Sequence, residues 1–340
     1  MMTAGTLTGT LCPQLWDGFY INRMGEVYPC CHQRPECVGN IYDQHLEEIL
    51  NGARMREARQ AALSGTLGCY ASCNLLDKPT VKRPQHLGHI QHFSGLRRLH
   101  LSFGEACNIR CVMCSHPLRH AANPAVLDVK VVKRNVDATP FEEIIIQGGE
   151  PLFVRECREY MAFLGAIGKR YTVLTNGLLI DESMACQLAR EARVVSISVN
   201  GATKRTHEAV NKGSRLELVL KNIQRLQKAR SGLHPVISGR MTLTPENVRE
   251  IPLFLRSYRE MGFDRVNFGY VKETVPPFLK AHPELLKRLR RETPLTLSLC
   301  PRDEVDDLRL RQLGLVPSLT GEFPESLPVL LPAKLPPMTH

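Results

Sequence analysis

Residues 96–114 read LRRLHLSFGEACNIRCVMC. The opening run, Leu96–Phe103, has the length and composition of a β-strand. Three thiols follow it at once: Cys107, Cys111 and Cys114, spaced C-x3-C-x2-C. A ligand triplet on the loop leaving a strand is where a parallel α/β fold puts its chemistry. The fold therefore depends on whether strands of this kind recur downstream.

They do. Glu143–Gln147, Tyr171–Thr175, Val194–Asn200, Val236–Thr242 and Arg265–Val271 are further strand-like runs, separated by amphipathic stretches. In one such stretch Leu216, Val219, Leu220, Ile223 and Leu226 form a single apolar stripe. The next is expected to open with Thr244 as N-cap and Pro245 at its first position, and to close at Gly262. Strands alternating with helices mean βα units and a parallel sheet. Six units are too few for a closed eightfold barrel of about 250 residues. The expected fold is α/β, a partial (β/α)6 TIM-like barrel or a doubly wound sheet, with a small cysteine-rich α+β module in front.

That module spans residues 1–76 and holds Cys12, Cys30, Cys31, Cys37, Cys69 and Cys73. A hairpin is expected from Tyr20-Ile21-Asn22 through a turn at Met24-Gly25 to Val27-Tyr28. A helix capped by Asp43 should carry Leu46, Ile49, Leu50 and Ala53 on one face. Residues 77–94 are polar and read as a linker, and 95–275 form the barrel. Residues 276–315 are expected to be helical. Residues 316–340 contain six prolines and read as an extended or disordered arm, or as a strap across the barrel mouth.

The 340 residues are 43% apolar and 23% charged, ordinary for a globular chain. No apolar run is long enough to span a bilayer, and no signal peptide is evident, so the expected compartment is the cytoplasm. Twelve cysteines, clustered and in a chain large enough to bury a core, point to metal rather than disulfides. Cys157, Cys186 and Cys300 stand alone and read as structural. The net charge of +10 comes with no nucleic-acid motif, so dispersed surface charge is expected and nucleic acid is not an expected partner.

Iron–sulfur clusters are usually held by four thiolates. Three close ligands leave one iron of a [4Fe–4S] cluster without a protein ligand, and an open position is what a catalytic metal needs. A structural zinc knuckle with His116 as fourth ligand satisfies the same triplet.

The order of motifs resembles the radical S-adenosylmethionine (SAM) superfamily over about residues 95–272. The triplet follows the first strand and Gly148-Gly149-Glu150-Pro151 the second. Thr175-Asn176-Gly177 ends the third, and Ser198-Val199-Asn200-Gly201 the fourth. The resemblance implies that Cys107, Cys111 and Cys114 ligate a [4Fe–4S] cluster with an open iron site. It implies that Gly148, Gly149, Glu150 and Pro151 face the SAM amino group, with Thr175 and Asn176 beside it. Ser198 and Asn200 would meet the ribose, Arg240 the SAM carboxylate, and the backbone around Phe268–Tyr270 the adenine. The family often has an aromatic residue where Met113 stands, and an acidic one where Asn200 stands. The implied activity is that of an enzyme which cleaves SAM reductively to a 5′-deoxyadenosyl radical and abstracts a hydrogen atom from substrate. Flavodoxin or ferredoxin would be the electron donor.

The N-terminal pattern C-x12-G-x4-C, from Cys12 to Cys30, followed by Gly39-Asn40-Ile41 and Cys69-x3-Cys73, resembles the twitch or SPASM auxiliary-cluster modules of that superfamily. It implies an auxiliary [4Fe–4S] cluster on Cys12, Cys30, Cys69 and Cys73, with Cys31 and Cys37 as spare ligands and His32 as another candidate. A zinc site fits the same four thiols. The expected substrate is a small molecule, oxidised or rearranged in natural-product biosynthesis. The alternative is a peptide or protein side chain modified by thioether or carbon–carbon bond formation, epimerisation or oxidation. A scaffold that binds a cluster without cleaving SAM is a third reading, disfavoured by the polar residues at the strand ends.

Overall fold

A computed structural model describes residues 14–30, 36–64, 66–67, 91–318 and 322–323. Among these, ten strands form one open sheet. They are β1 (Gly18–Ile21), β2 (Glu26–Tyr28), β3 (Gly39–Asn40), β4 (Arg98–Ser102), β5 (Glu143–Gln147), β6 (Tyr171–Thr175), β7 (Ala192–Ser198), β8 (Val236–Leu243), β9 (Arg265–Tyr270) and β10 (Val305–Asp306). The order across the sheet is β10-β9-β8-β7-β6-β5-β4-β1-β2-β3. Every neighbouring pair from β10 to β1 is parallel. The fold is thus α/β with a mostly parallel sheet, a partial barrel that does not close.

Period-two alternation sorts the strand residues to two faces. Leu101 is in register with Ile146, Ile146 with Val173, Val173 with Val195, and Val195 with Ile237. All five are fully buried. They form the apolar side of the sheet and belong to one continuous core. The alternate residues, Ser102, Gln147, Ser198 and Arg240, stand on the opposite, concave face. A sheet that is apolar on one side and polar on the other buries its core under helices and leaves a wet hollow at the strand ends.

Several local expectations need correction. The expected helix runs Leu46–Leu50 and its N-cap is His45, not Asp43; the Glu48 carboxylate accepts from the His45 N–H at 2.9 Å. Ala53 opens a separate helix, Ala53–Leu63, because Gly52 breaks the first. Thr244 does not cap a helix. The Asn247 Oδ1 accepts from the Thr244 N–H and closes a turn, and the helix begins later, at Ile251, with Pro252 in its first turn. The region 276–315 is mostly helical (Val275–Ala281, Pro283–Leu297, Leu308–Gln312), yet β10 within it extends the parallel sheet.

The N-terminal hairpin forms as expected, with Tyr20 opposite Tyr28 and Ile21 opposite Val27. It is not a detached module. β1 lies parallel to β4, with Phe19 beside Leu99 and Ile21 beside Leu101. Most of the expected linker, and the tail beyond Phe323, lie outside the described residues. No helix among the described residues is long and apolar enough to cross a membrane.

Candidate active site

The loop after β4 is shaped by its neighbour after β5. Gly149 N–H donates to Gly104 O at 2.9 Å, and Glu150 N–H to Ala106 O at 2.8 Å. These bonds hold the segment before Cys107 flat against the Gly148–Glu150 edge. Side chains are excluded there: a Cβ on Gly149 would sit 2.2 Å from Ala106 O, and one on Gly148, whose φ is +141°, would sit 2.5 Å from Gly104 O. The other end of the cysteine loop is fixed by a short antiparallel pair, Arg110–Cys111 with Asn211–Lys212.

A cavity of about 470 Å³ opens at these strand ends. Cys107, Cys111 and Cys114 line it, with Gly148, Gly149, Glu150, Thr175, Asn176, Ser198, Asn200 and Arg240. The structure thus brings together every expected barrel residue except Pro151, which is buried behind the edge. Phe268–Tyr270 do not line the cavity, whose wall reaches only as far as Arg240 and Thr242 on β8. Phe268 sits in the core, only 3% exposed.

Burial raises all three thiol pKa values, that of Cys111 to about 12, with the neighbouring thiols adding to the effect there. Without metal these groups are thiols, and binding metal must release protons. The His116 N–H donates to Cys114 Sγ at 3.4 Å, and the Asn176 amide reaches Cys107 Sγ at 4.0 Å. N–H donors of this kind tune thiolate-bound clusters. Among the described residues no three metal-binding side chains converge on one ion position. A cubane asks for no such convergence, because each thiolate binds a different iron. The donor set, its N–H partners and the open cavity in front of it fit a [4Fe–4S] cluster.

Other expected contacts have a different character from the one assumed. Glu150 is 1% exposed. Its carboxylate accepts from Thr175 Oγ1 at 2.7 Å, Asn176 N–H at 2.7 Å and Leu152 N–H at 3.1 Å. Desolvation outweighs these bonds and raises its pKa to about 7. Asn176 Nδ2 donates to Asn108 Oδ1 at 2.7 Å. Glu150, Thr175 and Asn176 therefore brace the β5 and β6 ends against the cysteine loop. The Asn200 amide is also engaged, donating to Asn211 Oδ1 at 2.8 Å and accepting from Thr242 N–H at 2.7 Å.

Residues outside the expected cofactor-binding set complete the wall. Asn211 Nδ2 is buried without a partner beside the cavity. Tyr20 reaches the cavity from the N-terminal hairpin. Glu105, Ser115, His116 and Arg119 form a polar corner next to Cys114. Of these, spacing singles out His116 alone; Tyr20 is brought in by the β1–β4 pairing and Asn211 by its pairing with Cys111.

Of the auxiliary ligand set only Cys30 lies among the described residues, half-buried just past β2. Cys37, one of the spare candidates, is half-buried as well. Cys12, Cys31, His32, Cys69 and Cys73 lie outside the described residues. Of the isolated cysteines, Cys157 is fully buried, Cys186 exposed and Cys300 half-buried.

The sequence agrees with this geometry when compared with known families. Residues 101–257 match the model of the radical SAM superfamily. The chain carries a radical SAM domain. Residues 12–75 match a second model, SPASM, an iron–sulfur cluster-binding domain. The radical SAM superfamily is one of enzymes, and its [4Fe–4S] cluster and SAM are the cofactors of this chain. The chain is 30% identical over 165 residues to a GTP 3′,8-cyclase of Geobacter sulfurreducens, covering 46% of this chain and 50% of that one. It is 26% identical over 171 residues to the Fe-coproporphyrin III synthase of Methanosarcina barkeri, covering 48% and 41%. The chain thus spans about half the length of these curated relatives. Among solved structures, native anSMEcpe with bound AdoMet superposes with a TM-score of 0.47 at 20% identity, covering 62% of this chain and 63% of that one.

Proposed function

We propose that this radical SAM protein cleaves SAM reductively and takes a hydrogen atom from a small molecule, which is oxidised or rearranged in natural-product biosynthesis. The observation that carries this reading is the single cavity on which the cysteine loop, the Gly148–Glu150 edge, Ser198 and Arg240 all open. Cys107, Cys111 and Cys114 would hold the cluster, which would supply the one electron that reductive cleavage of SAM requires. This chain's own residues hold and shield the reactants. The bare backbone at Gly148 and Gly149 lets SAM approach, and Arg240 pairs with its carboxylate. Ser198 and the orphaned Asn211 amide take the ribose hydroxyls, while Asn200 orients Asn211. Small-molecule chemistry is supported by the relatives, which are named for a nucleotide and a porphyrin.

In this reading residues 1–76 carry one auxiliary [4Fe–4S] cluster on Cys12, Cys30, Cys69 and Cys73. Residues 77–94 link them to the barrel of 95–275, and flavodoxin or ferredoxin delivers electrons in the cytoplasm. The test is anaerobic purification, reconstitution, and a count of iron and sulfide. Two clusters give roughly eight irons per chain, falling to roughly four when Cys107, Cys111 and Cys114 are all changed to Ala. The wild type should release 5′-deoxyadenosine from SAM under reduction, and the triple variant none. A triple variant that keeps its full iron overturns the reading. Turnover of a peptide in place of a small molecule would replace the substrate class with the alternative.

A further inference from the structure

At the polar corner beside Cys114, two guanidinium groups share one carboxylate. Glu105 is 5% exposed, and its Oε1 faces two guanidinium groups. Arg119 Nε lies 2.7 Å away and Arg23 Nη1 3.3 Å away, with His116 Nδ1 at 3.8 Å. One carboxylate thus serves two fixed cations. The other acid of the cavity wall, Glu150, is turned away onto Thr175 and Asn176. Among the described residues, one guanidinium charge at this corner has no carboxylate of its own.

Arg119, not Arg23, is the guanidinium of this corner that lines the cavity. Its side chain is 35% exposed. Nε is spent on Glu105, Nη1 on Ser115 Oγ, and Nη2 lies 3.2 Å from His116 Nδ1. A guanidinium has five N–H donors. Three contacts leave two, one on each terminal nitrogen, to donate to a carboxylate or phosphate. The fork is held from behind by a buried acid, so little entropy is lost when an anion docks.

We propose that Arg119, set by Glu105, is an anion subsite for the second substrate, which carries a carboxylate or phosphate group. The inference rests on the reading that the same cavity binds SAM. SAM brings one carboxylate, and in that reading Arg240 on β8, which lines the same cavity, takes it. Arg119 stands on the loop side, next to Cys114, and is left for the molecule that SAM acts upon.

The test uses the full reconstituted chain, saturated with SAM, and inorganic phosphate as probe, with binding followed by calorimetry. The wild type should bind phosphate. Arg119→Gln should weaken it about tenfold or more, with iron content and SAM affinity unchanged. Arg119→Lys should recover most of the loss, because a point charge still holds phosphate. Arg288→Gln, on the exposed face of a distant helix, should have no effect. Phosphate binding that survives in Arg119→Gln, or that is absent from the wild type, overturns the proposal. So does a loss of SAM affinity in Arg119→Gln, which would assign the subsite to the SAM carboxylate. Failure of the wild type to bind SAM at all would sink the functional reading instead.

Discussion

At the scale of single residues, the site depends on positions where nothing larger fits. Gly149 lies against the backbone of Glu105 and Ala106, and both contacts are with chain atoms that cannot swing away. Gly149→Ala must push the cysteine loop outward by several tenths of an ångström. Cluster ligands tolerate only small displacements. The expected outcome is a variant that folds, as judged by circular dichroism, but loses most of the barrel iron, leaving roughly four irons per chain. Full iron in Gly149→Ala would mean that the loop adapts freely. The motif was legible in the sequence because these glycines sit at a fixed place after a strand. The bracing roles of Glu150 and Asn200 were not. Both side chains are of a kind that contacts ligands, and only their partners show that they are spent internally.

At the scale of elements, the hairpin of β1 and β2 belongs to the barrel sheet. Phe19, Ile21 and Val27 are buried with Leu99 and Leu101 in one core. Arg23 in the hairpin turn reaches Glu105 in the cysteine loop. The chain has a single tryptophan, Trp16, just before β1 and 2% exposed. Its fluorescence therefore reports the N-terminal element, while circular dichroism reports mainly the barrel helices. In urea the two signals should change together. Ile21→Ala should cost about 2–5 kcal/mol and shift both curves alike. An early tryptophan transition, with the dichroism curve unmoved by Ile21→Ala, would show that the hairpin is a separate unit.

For the whole molecule, two histidines and one carboxylate shifted by desolvation shape the response of the metal-free protein to pH. Burial lowers the pKa of His207 to about 4, and burial together with Arg98 does the same for His100. Between these values and the ordinary imidazole range the unfolded chain binds more protons, so stability falls on acidification. Glu150 works the other way. Its folded pKa of about 7 exceeds the ordinary carboxylate value, so the folded state holds the extra proton and stability falls as pH rises toward 7. Each proton gives a slope of about 1.4 kcal/mol per pH unit at most. Two histidines outweigh one carboxylate, and the net acid limb below about pH 6.5 should be shallow. Glu150→Gln should steepen it, seen as a larger difference in urea midpoint between pH 5 and pH 6.5. An unchanged difference would show that Glu150 titrates normally.

The sequence by itself determined six of the parallel strands and the order of the motifs at their ends. Thiol spacing, glycines at strand ends and period-two alternation are local properties, written in consecutive residues. Strand limits such as Glu143–Gln147 and Tyr171–Thr175 followed from that alternation alone. Only the tertiary structure decided where the N-terminal hairpin docks, which side chains face the cavity and which are consumed in bracing it. Those outcomes hang on pairs far apart in the chain: Tyr20 beside His100, Asn200 with Asn211, Arg23 with Glu105. Register and burial fix such pairs, and neither is encoded in the spacing of any single segment.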